Sequence, residues 1–307
     1  MTRYLVTLLL VLVLSVLIGE VGGTVHPANA MMNSMFPGPG TPASSGPAVC
    51  LADSSAQIAR ITADGGTVVD PVLLTAFITD SVTNGYCFLL KFAGAAQMAV
   101  KKSGTNITKI YDVTGNNNDF SVENGTPQFI AIGKNGKAVI RFDGTNSLSL
   151  TMDFSVNKWS NFVVFSPTGT AGYRSILTMG AFDSATTTHT LLGLSGTSTW
   201  FWGWGGGSSP YVSTTMTSGT WYITDEIYNG SSLNGWVNGA AMTGNPQADT
   251  TSALTSTTPV YFGHYGNNSY YEAADVAFIA LAPNSTVFTT AQRQALEAFL
   301  NTQFAVY

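Results

Sequence analysis

The chain has 307 residues, 45% of them hydrophobic and only 9% charged, with a formal net charge of −5; ordinary soluble domains carry roughly 25% charged residues. So much apolar sequence can fill a sizeable core. The lack of a basic cluster excludes a nucleic-acid partner, and the surface has to be built from Ser, Thr, Asn and Gly.

Residues 1–30 read as a secretory signal peptide: Arg3 is the positive start, Tyr4 to Ile18 an apolar run, and Ala28-Asn29-Ala30 a small-x-small cleavage signal. The run is shorter than the ~20 residues a membrane span needs, so no stable span is expected once the leader is cleaved. An uncleaved anchor is one alternative. A true start at Met31 or Met32 is another, and it suits a protein assembled inside the cell, such as a virion component. The expected location is therefore secreted or extracellular, with a virion as the alternative. Residues 31–48, rich in Pro, Gly and Ser, read as a linker.

Residues 49–105 read as a small helical and extended segment. Ser54-Ser55 caps a helical run to Ala63, and Asp64-Gly65-Gly66 stops it. Asp70-Pro71 begins a second helix, with Val72, Leu73, Ala76 and Phe77 on its apolar face and Asn84-Gly85 at its end. Two short helices are marginal alone and are expected to pack on the β domain downstream of them. The two cysteines, Cys50 and Cys87, can pair in an exported chain or remain separate buried thiols.

From 106 to 307 the pattern is nearly all β. Ile110-Tyr111 is followed by a turn at Gly115 to Asn118, and Ala138 to Phe142 by a turn at Asp143-Gly144 and an alternating strand, Leu148 to Leu150. Further strands are expected at 159–165, 175–179, 190–194, 200–204, 221–228, 260–264 and 275–281. Asn238-Gly239 is a strong hairpin signal. Thr289 or Thr290 caps a closing helix with Leu296, Phe299 and Leu300 at helical spacing. The expected fold is mainly β: a two-sheet antiparallel jelly-roll sandwich with short N-terminal helices and a C-terminal helix.

The ordered pieces 109–119, 136–144, Trp236-Val237-Asn238-Gly239, 275–281 and the helix 291–304 resemble a concanavalin A-like lectin/glucanase jelly roll of the laminin-G-like type, the version found in bacterial secreted and phage structural proteins. The resemblance covers about 200 residues and is specific for fold rather than function. It implies one departure: where the family's late strand often carries a second carboxylate, this chain has Phe278.

Glycoside hydrolysis needs two carboxylates facing one sugar, which on one strand means acids at even spacing. None is present. Asp225 and Glu226 are adjacent and point to opposite faces; Glu272 and Asp275 are three apart. Acids from different strands (Asp112, Asp143, Asp225, Glu226, Glu272, Asp275) remain a pool, but the chain is expected not to be an enzyme. Isolated histidines and the lack of a Cys/His cluster argue against zinc.

Two aromatic clusters are candidate ligand-binding sites. Trp200, Trp202 and Trp204 share one sheet face over roughly 13 Å, with Tyr211 after a Gly-rich loop. They suit the apolar faces of sugars, and equally a sandwich core. His264, Tyr265, Asn267 and Tyr270 form the second cluster, with Tyr261 and Tyr271 beside them. Such residues make adaptable recognition surfaces, and equally a solvated turn. No cofactor is expected beyond calcium at a turn offering Asp112, Asn116, Asn118 and Asp119, residues that also hydrogen-bond their own backbone. The function expected is a non-catalytic recognition module contacting a glycan or cell-surface polysaccharide. The alternatives are a structural particle or tail component contacting other subunits, and a glycoside hydrolase.

Overall fold

The computed structural model describes residues 54–152, 158–169, 174–180, 190–196, 198–203, 211–248, 258–265 and 270–307. Residues 47–307 form one compact unit, and residues 1–46 lie outside the described part. In chain order, the strands are β1 (Thr67–Val68), β2 (Phe92–Gly94), β3 (Ala99–Ser103), β4 (Asn106–Ile110), β5 (Phe120–Asn124), β6 (Gln128–Ile130), β7 (Val139–Asp143), β8 (Ser147–Met152), β9 (Trp159–Pro167), β10 (Arg174–Met179), β11 (Thr190–Ser195), β12 (Thr199–Gly203), β13 (Tyr211–Thr215), β14 (Tyr222–Tyr228), β15 (Ser232–Val237), β16 (Ala240–Ala241), β17 (Gln247–Ala248), β18 (Thr258–Phe262) and β19 (Ala273–Pro283). The helices are α1 (Ser54–Ala63), α2 (Pro71–Thr83) and α3 (Thr290–Phe304).

Every strand pairing is antiparallel, and the strands form two layers. In the first, β19 has β9 on one edge and β7 and β2 on the other; β14 and β15 continue beyond β9. In the second, the order runs β3, β4, β5, β8, β18, β10, β11, β12, β13. Hydrogen bonding is continuous because β6 pairs with β7 in the first layer and with β4 in the second. This is the expected antiparallel sandwich.

Side chains alternate across each strand, so each layer has an inner and an outer face. Phe142, Val163, Phe165, Leu192, Trp200, Trp202, Val260 and Phe262 fill the space between the layers. The outer face of the first layer is apolar as well. There Phe162, Val164, Ile223 and Phe278 pack against Leu74, Phe77 and Ile78 of α2 and Leu296, Leu300 and Phe304 of α3. Phe77 meets Phe278 at 5.5 Å and Phe299 at 5.9 Å between ring centroids. This two-sided burial explains why all nine residues of β9 are buried. It also explains Phe278, which faces the helices where the family resemblance implied an acid.

The helix ends are set by local chemistry. The Asp70 side chain accepts the Leu73 amide at 2.9 Å, with Pro71 in the first turn. Thr289 and Gln292 close a capping box on α3. Asn238 and Gly239 both adopt positive φ between β15 and β16, as a tight hairpin turn requires. Residues 49–105 contribute strands as well as helices. The division placed at 105/106 runs through the β3–β4 hairpin, in which Ser103 sits opposite Asn106.

Candidate binding face

Helices α2 and α3 cover the first layer; on the second, α1 sits at the β3–β4 edge, where Asp64 at its end meets Lys101 and Lys109. On the outer face of the second layer Tyr261 stands between the inward-facing Val260 and Phe262 and is opposite Ser149 of β8, which is in turn opposite Ser121 of β5. This row is polar and continues beyond Ser121 to Lys109 of β4.

A β-bulge gives the face its centre. The register of β5 against β8 shifts between Val122 and Asn124. Adjacent strand residues normally point to opposite faces, but a bulge re-aims them. Glu123 and Asn124 consequently reach the same distant segment: Glu123 Oε2 lies 2.6 Å from His264 Nε2, and the Asn124 amide donates to the Tyr271 hydroxyl at 2.6 Å. The Ser147 hydroxyl donates to the same Glu123 oxygen at 3.3 Å. The His264 ring is fully buried between Tyr261 and Tyr271, at 4.8 and 5.1 Å between centroids. Its Nδ1 bonds the Tyr265 carbonyl, and the Thr178 hydroxyl donates to its backbone oxygen at 3.2 Å.

Tyr265 and Tyr270 meet edge-on at 5.9 Å. Tyr265 is nearly buried, whereas Tyr270 is 50% exposed and holds a left-handed backbone, φ 58°. A bulky residue in that region is strained. Burial, with the charge of Glu123, pushes the Tyr261 phenol up, and burial does the same to Tyr265. At the rim Glu272 is fully buried, with the backbone amides of Ala273 and Gly169 beside its carboxyl. It lies against Gly169, close to the Arg174 guanidinium. Burial pushes its carboxyl up to about 8, with Arg174 pulling the other way.

The second cluster of the sequence is thus brought together around a residue the sequence did not single out. Glu123 is 141 positions from His264, and nothing local marks the pair. Asn267 and Trp204 lie outside the described residues. Tyr211 is 54% exposed on the same outer face, its ring 6.0 Å from that of Phe201.

The tryptophans need correction. Trp200 and Trp202 are buried in the core, at 1% and 0% exposure, and present no face to a ligand. Trp200 packs on Phe165 at 5.0 Å, and the Trp202 indole N–H donates to Thr224 at 2.7 Å. Period two placed them on one face; the opposing layer made that face the inside.

The calcium turn also needs correction. N–H and O–H donors already occupy its carboxylates. Asp112 is fully buried; its Oδ1 accepts from the amides of Thr114 and Ala93 and from the Thr114 hydroxyl, and its Oδ2 from the Asn118 amide. Asp119 is clamped by the Arg60 guanidinium at 3.0 Å. The side-chain amides of Asn116 and Asn118 donate to the carbonyls of Leu90 and Lys91. Donors aimed at a carboxylate repel a cation, so the arrangement is a hydrogen-bonded turn.

The other acids are likewise committed. Asp143 accepts from the amide and hydroxyl of Thr145, and Asp275 takes a bidentate pair from Arg141 at 2.7 and 2.8 Å. Asp225 and Glu226 do point to opposite faces: Asp225 to Arg293 of α3, Glu226 to the Asn161 amide in the sandwich. Cys87 is disulfide-bonded and buried; Cys50 lies outside the described residues.

No protein family matches the chain, and no curated protein is similar to it in sequence. Solved structures are. A Trypanosoma rangeli sialidase in complex with 2,3-difluorosialic acid aligns at TM-score 0.50 and 10% identity over 69% of this chain. This chain spans about a third (32%) of that one. Domain 4 of AbnA, an extracellular arabinanase of Geobacillus stearothermophilus, in complex with arabinotriose, aligns at TM-score 0.46 and 16% identity, covering 67% of this chain and 98% of the domain. The binding domain of botulinum neurotoxin serotype G aligns at TM-score 0.46 and 9% identity, covering 69% of this chain and 51% of that one. The likeness is one of fold. Among the described residues no helix is long and apolar enough to cross a membrane.

Proposed function

We propose that the chain is a non-catalytic recognition module that binds carbohydrate through the outer face of the second layer, on an exported or virion surface. The observation that carries this reading is the group of tyrosines on this face: Tyr261 and Tyr271 flank the His264 ring paired with Glu123, and the half-exposed Tyr270 stands against Tyr265. Tyrosine rings offer flat apolar area with a polar edge at little entropic cost. The partly exposed Glu123 carboxyl, held in place by the buried His264, offers acceptor oxygen to sugar hydroxyls. Asp225 and Glu226, the adjacent acids, are spent on internal partners, which supports a binding role over hydrolysis.

The test is a glycan array with the wild-type chain and the variants Tyr270→Ala and Tyr271→Ala, folding checked by circular dichroism. Each variant is expected to cost about 2 kcal/mol or more of affinity if its ring is a binding hot spot. Unchanged binding in both variants removes this face as the site. A glycosidase is the second reading, favoured by one feature: Glu272 is a carboxyl that burial pushes up to about 8, the direction a general acid needs. Release of reducing ends from polysaccharides, abolished by Glu272→Gln, would establish it.

A further inference from the structure

We infer that the ligand of this face is an extended, neutral polysaccharide lying across the strands, gripped at its far end by a second aromatic subsite, Phe201 and Tyr211. This ligand shape rests on the carbohydrate reading above and adds length and charge to it.

Alternation and register place the second subsite. Leu192 and Leu194 of β11, Trp200 and Trp202 of β12 and Val212 of β13 fill the space between the layers. Their neighbours Gly193, Phe201, Tyr211 and Ser213 therefore stand on the outer face. Tyr271 bridges to Ser175 of β10, Ser175 is opposite Gly193, and Gly193 is opposite Phe201. From Tyr271 to Phe201 this line crosses three strand spacings, about 14 Å. A second line runs beside it from Tyr261 through Thr178, Leu191 and Gly203 to Tyr211.

Both ends of these lines are aromatic, and the middle is low. Phe201 is partly exposed and Tyr211 more so, with the two rings in edge contact. Between them and the tyrosines, Gly193 has no side chain. Ser175 folds its hydroxyl down onto the sheet, 2.9 Å from that of Thr178 and donating to the Leu192 carbonyl at 3.2 Å. Aromatic rings at both ends of a low floor suit a long ligand with apolar faces, whereas a single sugar needs only one end. A pyranose unit is about as long as one strand spacing, so a stretch of about four units reaches from one aromatic group to the other.

The strands set the charge of the ligand as well. β8, β18, β11, β12 and β13 contain no charged residue. The single cation of β10, Arg174, lies at the rim beside Glu272. Lys109 lies at the other end, past Ser121, and is paired with Asp64 and Asp119. A chain of uronic or sialic acids would shed water from its carboxylates with no cation between the aromatic groups to receive them, and Glu123 would repel it. A neutral chain meets neither cost.

The experiment is isothermal titration calorimetry of the full chain with oligosaccharide ladders, dimer to hexamer, cut from cellulose, xylan and laminarin, and with a galacturonan ladder as the charged counterpart. Affinity for a neutral ladder should rise with length to about the tetramer and then level off. Tyr211→Ala and Phe201→Ala should weaken the hexamer about tenfold and leave the shortest bound member unchanged; Tyr271→Ala should weaken both. Tyr211 is exposed, so its truncation leaves the core intact and separates a binding effect from a folding one. Equal affinity at every length overturns the inference while the carbohydrate reading stands. So does an equal loss at every length in Tyr211→Ala, a hexamer untouched by both variants, or tighter binding of the galacturonan. Binding of none of the ladders also overturns it, and the glycan array then decides whether the carbohydrate reading falls with it.

Discussion

Trp202 donates its indole N–H to the Thr224 hydroxyl at 2.7 Å between the two layers, and that hydroxyl donates onward to the Trp236 carbonyl at 3.0 Å. One side chain thus satisfies a donor from the second layer and an acceptor within the first. Both Trp202 and Thr224 are fully buried, so neither bond has water as a substitute. Thr224→Val keeps the shape and removes both bonds. It is expected to destabilise the fold by about 1–3 kcal/mol, measured as a lower urea midpoint with an unchanged slope.

Beneath α3, Arg293 lies 2.8 Å from Glu297 and 3.5 Å from Asp225, with its guanidinium 4.3 Å from the Trp236 ring centre. One cation serves two buried acids. Burial pushes both carboxyls up, Asp225 strongly, with Glu297's charge adding to it. Arg293→Met should cost about 3–5 kcal/mol, because it leaves buried acids uncompensated. Asp225→Asn removes the surplus charge and should cost much less. Comparison of the two urea midpoints checks this.

Glu272 makes stability fall with pH. Its folded carboxyl titrates at about 8 and its unfolded one near the ordinary glutamate value of 4.5. The folded state holds the proton where the unfolded state has released it, so stability declines as pH rises from about 4.5 to about 8 and then levels off. The raised groups Asp225 and Glu297 act in the same direction. Glu272→Gln should flatten the decline measurably between pH 5 and pH 8 in thermal melts.

Asp112 should behave as a structural acceptor. A chelator is expected to leave the thermal midpoint unchanged, since N–H donors, with the Thr114 hydroxyl, occupy its oxygens. Asp112→Ala strands the amides of Ala93, Thr114 and Asn118 and should cost well over the roughly 1–3 kcal/mol of a single orphaned buried group. A midpoint that rises with added calcium would show the turn to be a metal site.

We propose that Cys87 pairs with Cys50, the other cysteine of the chain. Closing a loop of about 36 residues should contribute about 3–4 kcal/mol by constraining the unfolded chain. Peptide mapping without reductant should recover the 50–87 cross-linked peptide. Reduction should lower the urea midpoint by the corresponding amount.

Much of the architecture is legible in the sequence because it is set by neighbours along the chain. Asp70 and Asn84 bound α2, Thr289 and Gln292 start α3, and Asn238-Gly239 turns β15 into β16; each needs only a backbone group within a few residues. Alternation likewise predicts which side chains share a strand face: Trp200 and Trp202 do, and Asp225 and Glu226 do not. What a face touches depends on distant strands. The opposing layer turned the tryptophans inward. Arg60, far upstream of Asp119, made a hydrogen-bonded turn of residues that elsewhere ligate a cation. A one-residue bulge brought Glu123 to His264 across 141 positions. Local pattern determines which side chains stand together; burial and hydrogen-bond partners supplied by remote segments decide whether they form core, turn or binding face.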